Sequence, residues 1–308
     1  MNDPETAAWP ATRRHPRTAR RWLGLAIVGL GVLVLAGQFW SLVASSEVVG
    51  QALVGGSVAA LATALGTLPV LFSQRLSERV QDTLFGFGAG VMLAACAFSL
   101  ILPGLEVAKE QALFGGGRWS AGGVIGAAIL LGAAALMAME KLLPHEHFIK
   151  GREGRDTDAV RTLRRTWLFV IAIALHNLPE GLAIGVGYAG NDGLRANALA
   201  TGIAIQDVPE GLVVAVALLA AGYGRGIAVG LGMASGLVEP LGAVLGAAVV
   251  EHSALLLPWG LGFAAGAMLF VISHEIIPES HRKGHEAFAT GGLMVGFVLM
   301  MLLDTALG

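Results

Sequence analysis

Nine apolar segments, each about 20 residues or longer, constrain the fold of this chain more than any other feature. A helix needs about 20 mostly apolar residues to cross the hydrocarbon core of a bilayer. Charged residues make up only 14% of the 308 residues and hydrophobic residues 55%, whereas roughly a quarter of a soluble domain is charged. The sequence therefore predicts an all-α polytopic membrane protein.

The segments predict a short N-terminal tail over residues 1–21 and a single membrane domain over residues 22–308. A polar, charged connection at 140–165 separates the fourth and fifth segments, and every other connection is short. The predicted spans are 22–44, 52–72, 83–103, 119–139, 166–189, 196–222, 226–250, 256–279 and 286–307.

The distribution of basic residues predicts the orientation of these spans, because cytoplasmic loops of membrane proteins carry an excess of Lys and Arg. With residues 1–21 in the cytoplasm, 17 of the 20 basic residues fall inside and three fall outside. The sequence thus predicts a cytoplasmic N-terminal tail and connection 140–165, with the C-terminus outside.

The first segment has a second interpretation as a signal peptide, because the basic run RRHPRTARR precedes its apolar run. Its apolar run of about 23 residues exceeds the 7–15 residues of a typical signal peptide. This length favours a retained span. The predicted topology of the remaining helices is the same in both cases.

Two near-copies of one motif place polar side chains at the centres of neighbouring spans. They are HNLPEG at 176–181 and QDVPEG at 206–211, and a further acid, Glu239, lies at the centre of the next span. Four carboxylates and one histidine therefore share one depth. Each acid there costs roughly 2.5–3.5 kcal/mol, and four cost on the order of 10 kcal/mol if unpaired. Since no Lys or Arg lies in the central part of any span, protons or metal ions must neutralise them.

The spacing within the motifs favours metal ions. His176 and Glu180 are four residues apart and share a helix face, as do Gln206 and Glu210. The residues that follow His176 and Gln206, an asparagine and an aspartate, sit one step around the helix. Two such faces opposed would bring imidazole nitrogen, carboxylate oxygen and amide oxygen together, a donor set suited to zinc and its divalent neighbours, and bridging carboxylates could hold two ions.

The prolines of the motifs point to a transport site. Pro179 and Pro209 cannot donate to the carbonyls four residues earlier, and the freed oxygens are tolerated only where they face protein, water or an ion. Helices interrupted near the midplane in two matching segments are a recurrent feature of transporters. A lone histidine or acid in a membrane helix is often structural, but a duplicated set without basic partners favours a functional site.

Other polar residues extend the predicted path toward both membrane surfaces. Glu106 and Asp304 end spans on the outside, where they would attract cations to an entrance. An exit could form at the cytoplasmic span ends from Glu140, His274, Glu275 and Glu279. Solvated helix-end charges are the alternative interpretation of all these residues. The loop pair His145 and His147 would bind metal weakly, and Met92, by its position alone, favours a gap-filling role.

The motifs, the Glu-Pro pair of SGLVEPLG and the late SHEIIPESHRKGHE resemble the ZIP (Zrt/Irt-like) family of divalent metal transporters over residues 52–308. The chain is most similar to the bacterial zinc- and cadmium-transporting branch, which has an extra N-terminal helix. The resemblance implies eight helices in a 3+2+3 arrangement, with the outer triplets forming an inverted repeat. It also implies a homodimer in the bacterial inner membrane, import into the cytoplasm and an elevator-like movement.

The resemblance further implies a binuclear site. Its first position matches Met92, His176, Glu180, Gln206, Asp207 and Glu210, and its second matches Asn177, Glu180, Asp207, Glu210 and Glu239. Glu106 and Asp304 match entrance acids, and Glu140, His274 and Glu275 match exit residues. Positions 106 and 140 are commonly aspartate in the branch, so the longer side chains here have a different reach.

The predicted function is transport of zinc, and also of cadmium or other transition metals, as substrate rather than cofactor. Two alternatives remain open. An intramembrane zinc hydrolase would need a general base, and its familiar HExxH cue is absent. A proton-coupled carrier of an organic solute would use the carboxylates as protonation sites and would need an aromatic-lined pocket, yet aromatic residues make up only 6% of the chain. No phosphate-binding loop and no basic stripe are present, so neither ATP nor nucleic acid is an expected partner.

Overall fold

A computed structural model describes residues 17–72, 76–115, 117–142, 176–190, 192–220 and 222–307. Over these ranges the protein is helical and contains no strand, which confirms the predicted all-α class. The start of the N-terminal tail, most of connection 140–165 with His145 and His147, and the first part of the fifth predicted span lie outside the described residues.

We number the helices of the described ranges α1 to α9 in chain order. They are α1 (Arg17–Ser45), α2 (Glu47–Thr67), α3 (Glu78–Glu110), α4 (Arg118–Leu142), α5 (176–189), α6 (Gly193–Ala220), α7 (Arg225–Glu251), α8 (Ala254–Ser280) and α9 (Glu286–Leu307). Within these ranges all helices except α5 contain a stretch long and apolar enough to cross a membrane. Helix α7 consists of Arg225–Gly236 and Val238–Glu251, which meet at Leu237.

The helices that follow α1 form two bundles. Helices α2, α5, α6 and α7 pack together, and α3, α4, α8 and α9 form the second group. Close contacts between backbones hold the second group, since a Cβ atom on Gly90 of α3 would overlap the carbonyl oxygen of Leu293 in α9. A Cβ atom on Gly266 of α8 would likewise overlap that of Ile129 in α4. Such small-residue contacts let membrane helices pack closely without a hydrophobic driving force.

Helices α3 and α8 share a local irregularity. Each contains a π-helical segment, Ala95–Ile101 in α3 and Ile272–Ile276 in α8, and each segment is followed within two residues by a proline. Helix α3 pairs with α9, and α8 pairs with α4. The middle helix of each outer triplet therefore pairs with the last helix of the other triplet, as expected for the 3+2+3 arrangement with α5 and α6 at the centre.

Helix α1 lies on the outside of the first bundle. It packs against α2, and its apolar window Val28–Ser45 is not buried within the chain. Leu33 and Trp40 are 71% and 69% exposed. Such a surface suits contact with lipid, so α1 is the additional N-terminal helix. Phe39 and Val43 of α1 pack against the edge of the core.

Candidate metal centre

Three carboxylates meet between α5 and α6. Glu180, Asp207 and Glu210 each offer one oxygen atom, and these three atoms lie within 4.8 Å of one another. Glu180 and Asp207 are 1% exposed, and Glu210 is partly buried. At an effective dielectric constant of about 20, two full charges at that distance repel by about 3 kcal/mol. A site that gathers three acids in this way requires protons or a cation to neutralise them.

The two Pro-Glu-Gly sequences explain why other helices approach this point. A Cβ atom on Gly181 would overlap the backbone of Glu239 in α7, and one on Gly211 would overlap the backbone of Thr63 in α2. Each motif therefore places its glutamate beside a glycine against which a neighbouring helix packs directly. Helices α7 and α2 bring Glu239 and Thr63 to the centre in this way.

Gln206 organises one half of the site. Its Nε2 donates hydrogen bonds to Oδ1 of Asp207 at 2.9 Å and to Oε1 of Glu180. Because both bonds use the amide nitrogen, Oε1 of Gln206 is left buried without a hydrogen-bond partner among the described residues. The Gln206 side chain thus donates hydrogen bonds to two carboxylates and leaves its own oxygen available to a ligand.

Glu239 organises the other half. Its Oε1 accepts hydrogen bonds from Nδ2 of Asn177 at 3.0 Å and from Oγ1 of Thr63 at 2.9 Å. Sequence reasoning missed Thr63, since a single threonine in an apolar span carries no signal by itself. Only the packing of α2 against α7 reveals that this hydroxyl lies beside the carboxylate.

Five buried oxygen atoms around this point have no hydrogen-bond partner within the described ranges. They are Oδ1 of Asn177, Oε2 of Glu180, Oε1 of Gln206, Oδ2 of Asp207 and Oε2 of Glu239. More than about 90% of buried polar groups in proteins are paired, and each unpaired one costs about 1–3 kcal/mol. Five unpaired acceptors in one place therefore form an arrangement that a bound cation would satisfy.

His176 and Met92 lie at the edge of this set. Nε2 of His176 is 2.6 Å from Oε2 of Glu275 in α8, so the imidazole is paired with a predicted exit residue. Met92 is 2% exposed on α3. It lies one turn from Gly88, where a Cβ atom would sit 3.4 Å from Oε1 of Gln206. The face of α3 that bears Met92 is therefore directed toward the site.

Comparison with known proteins identifies the family. The model of the ZIP Zinc transporter family matches residues 144–304. The zinc transporter ZIPB of Bordetella bronchiseptica is 48% identical over 318 aligned positions that cover all of both chains. The zinc transporter GufA of Myxococcus xanthus is 46% identical over 84% of this chain and all of its own length. The human zinc transporter ZIP11 is 32% identical over 84% of this chain and 97% of its own. The chain belongs to the ZIP family.

Membership of the ZIP family confirms several predictions from the sequence. The protein is a multi-pass membrane protein that transports metal ions, with zinc as substrate and not as cofactor. Its relatives are named as transporters rather than enzymes. The hydrolase and organic solute carrier alternatives are therefore set aside.

Two neighbouring residues of α8 connect this ZIP transporter's site to other helices. Glu275 pairs with His176 of α5, and Nε2 of His274 lies 3.2 Å from Oε1 of Glu140 in α4. The ring of Phe270 stacks on His274 at a centroid distance of 5.1 Å. Three of the four predicted exit residues thus take part in two imidazole–carboxylate pairs, one of which includes a predicted metal ligand. The fourth, Glu279, pairs with Arg282 at 2.8 Å.

The predicted entrance residues lie at the other ends of their helices. Oε2 of Glu106 lies 3.5 Å from Nη1 of Arg195. Nε of the same arginine lies 3.2 Å from Oδ2 of Asp192. All three residues line a cavity of about 150 Å³, together with Ser99. Ser99 in turn donates a hydrogen bond of 2.7 Å to Oδ1 of Asp304. The structure thus adds a basic residue, Arg195, to an entrance that sequence reasoning described as acidic.

Proposed function

We propose that this ZIP protein imports zinc through a binuclear site between α5, α6 and α7. Five unpaired buried oxygen atoms beside three clustered carboxylates support this proposal most directly. Carboxylate and amide oxygens would neutralise and hold the ions. The imidazole of His176 and the thioether of Met92 would add softer donors suited to zinc, and also to cadmium and related transition metals.

The hydrogen bonds support two metal positions that share ligands. In the proposed assignment the first ion binds Met92, His176, Glu180, Gln206, Asp207 and Glu210, and the second binds Asn177, Glu180, Asp207, Glu210 and Glu239. Glu180 and Asp207 each have one oxygen bonded to Gln206 and one without a partner. Those unpaired oxygens would face the ions, which is the arrangement that bridging carboxylates require.

We assign the direction of transport from the topology predicted by the basic residues. In that topology the N-terminal tail and connection 140–165 are cytoplasmic, the C-terminus is outside, and the protein lies in the bacterial inner membrane. His176 and Glu210 are then the site residues nearest the cytoplasm, and both are more exposed than Glu180. An ion would enter past Glu106 and Asp304. It would leave past Glu275, His274 and Glu140.

Division of the site between the two bundles favours an elevator-type movement. Helices α5, α6 and α7 carry the oxygen ligands and belong to one bundle with α2. Met92 and Glu275 belong to the other bundle. Sliding of the first bundle against the second would carry the bound ions across the membrane while their oxygen ligands stay together. A homodimer would anchor the second bundle.

Uptake of zinc into proteoliposomes that contain a zinc-sensitive dye tests this proposal. The native chain should show saturable uptake, and Glu210→Ala should abolish it. Glu47→Gln is a matched control because Glu47 is exposed and pairs with Gln51 of its own helix. A native chain that inserts and binds zinc yet moves none would refute transport through this site. Counting bound zinc per chain tests the binuclear arrangement separately.

A further inference from the structure

The hydroxyl of Thr63 departs from the usual behaviour of threonine in a membrane helix. Thr63 is 2% exposed, and its Oγ1 lies 3.3 Å from the carbonyl oxygen of Ala59 and 2.9 Å from Oε1 of Glu239. A hydroxyl has one hydrogen to donate, and the shorter distance selects Glu239. Buried threonines commonly bond a carbonyl of their own helix instead. Thr67, one turn along α2, does so with Ala64 at 2.7 Å.

Two hydrogen bonds to one carboxylate oxygen of Glu239 fix the direction of its other oxygen. Oε1 accepts from Thr63 and from Asn177, whereas Oε2 is buried and has no partner within the described part of the chain. A carboxylate held by two bonds on one side cannot rotate freely about its last side-chain torsion. Its unpaired oxygen is therefore kept in one position.

The same arrangement orients Asn177. Its Nδ2 donates to Oε1 of Glu239, so its Oδ1 faces away from Glu239 and is left without a partner in the described structure. Loss of the Thr63 hydroxyl would leave Asn177 as the remaining donor to a mobile carboxylate. Two of the oxygen ligands of the proposed second ion, those of Asn177 and Glu239, would then lose their fixed direction.

Tight packing holds the threonine itself in place. A Cβ atom on Gly211 of α6 would overlap the carbonyl oxygen of Thr63, and one on Gly236 of α7 would sit 3.0 Å from its Cβ. The hydroxyl thus projects from a rigid contact between α2, α6 and α7. Groups that support metal ligands act through this kind of fixed geometry.

We propose that Thr63 is a positioning residue that sets the affinity of the second metal position by orienting Glu239 and, through it, Asn177. This inference rests on the proposed binuclear site. Thr63 itself does not ligate the ion. Its hydroxyl is committed to Oε1 of Glu239, and the metal would bind the opposite oxygen.

Zinc titration of the full chain by calorimetry, together with the count of bound zinc per chain, tests the role of Thr63. Thr63→Val keeps the shape of the side chain and removes the hydroxyl. We expect the second ion to bind about 10- to 100-fold more weakly, while the first ion binds as in the native chain. Thr63→Ser should restore the native affinity. Thr67→Val is the matched control, since that hydroxyl bonds only its own helix.

A double-mutant cycle separates positioning from general stability. In a Glu239→Ala background, Thr63→Val should cause no further loss of zinc affinity, because its target is already absent. If the native chain and Thr63→Val bind the second ion with equal affinity, the proposed role of Thr63 is wrong, whereas the binuclear site is unaffected. Binding of only one ion by the native chain would refute the binuclear site, and with it this role. If Thr63→Val fails to fold, Thr63→Ala removes the same hydroxyl with a smaller side chain and provides the same test.

Discussion

Replacing one of the three clustered acids should stabilise the metal-free protein and weaken its stabilisation by zinc. Glu180→Gln keeps the size of the side chain and an oxygen that can still accept the bond from Gln206, but removes one negative charge. In the absence of metal the variant should unfold at a higher temperature than the native chain. In the presence of zinc this advantage of the variant should shrink, because the variant has lost a ligand that bridges both proposed ions.

The magnitude follows from the distances between the carboxylates. The three ligand atoms lie within 4.8 Å of one another, so Glu180→Gln removes two of three repulsions. Each is worth about 1 kcal/mol with the dielectric constant of water and about 3 kcal/mol with an effective value of 20. The metal-free variant should therefore gain about 2–6 kcal/mol, and the upper end is a ceiling because proton uptake relieves part of the repulsion. Zinc at 100 times its dissociation constant should stabilise the native chain by about 2.7 kcal/mol.

Thermal unfolding of detergent-solubilised protein, in chelator and in excess zinc, measures both effects. Each 1 kcal/mol shifts the melting temperature by about 2–4 °C in domains of 150–250 residues, so a gain of 2 kcal/mol is detectable. Glu47→Gln again serves as the control, because it removes an exposed carboxylate on α2 that pairs with Gln51 and lies outside the cluster. Two results together would refute a site strained by repulsion between like charges. The Glu180→Gln variant would melt at a lower temperature than the native chain in chelator, and zinc would raise its melting temperature by as much as that of the native chain.

Two further substitutions test the packing and the entrance. Gly211→Ala would drive a methyl group into the backbone of Thr63 and should lower the stability of the fold by about 1–3 kcal/mol or more, measured as a loss of monodisperse protein. The control Gly230→Ala has open space around it and should leave the yield unchanged. Equal yields from the two variants would contradict the proposed close approach of the helices. Arg195→Ala should free Glu106 from its ion pair and lower the KM for zinc uptake about two- to fivefold. This range corresponds to an exposed ion pair worth up to about 1 kcal/mol. An increased KM would show instead that Arg195 supports the entrance.

Sequence reasoning predicted a shared depth for the polar residues but not the contacts between helices. Hydropathy and helical period place Glu180, Asp207 and Glu210 at one depth, and the structure brings these three acids together. Hydropathy and helical period do not say which neighbouring helix each face meets. His176, expected on one helix face with Glu180, also pairs with Glu275 across the boundary between the bundles, a contact that the sequence does not indicate.

Two other residues show the same limit. Thr63 had no sequence signal, because its role depends on a partner 176 positions away in the chain. Glu106 was recognised as an acid at the end of a span, but its ion pair with Arg195 joins two helices whose proximity is a result of packing. Residues that act through a neighbouring helix are therefore the ones that sequence reasoning misses.

The sequence by itself determined the class of protein and the need for a counter-charge, and it predicted a shared depth for the polar residues. The hydropathy of a span and the cost of an unpaired acid at its centre can be judged without knowing which helices are neighbours. The tertiary structure decided which amide protons hold which carboxylate oxygens, and hence which oxygens are left unpaired. Hydrogen bonds are directional and operate over about 3 Å. Their pattern is therefore set only when the glycines of α5 and α6 have brought the backbones of α7 and α2 into contact.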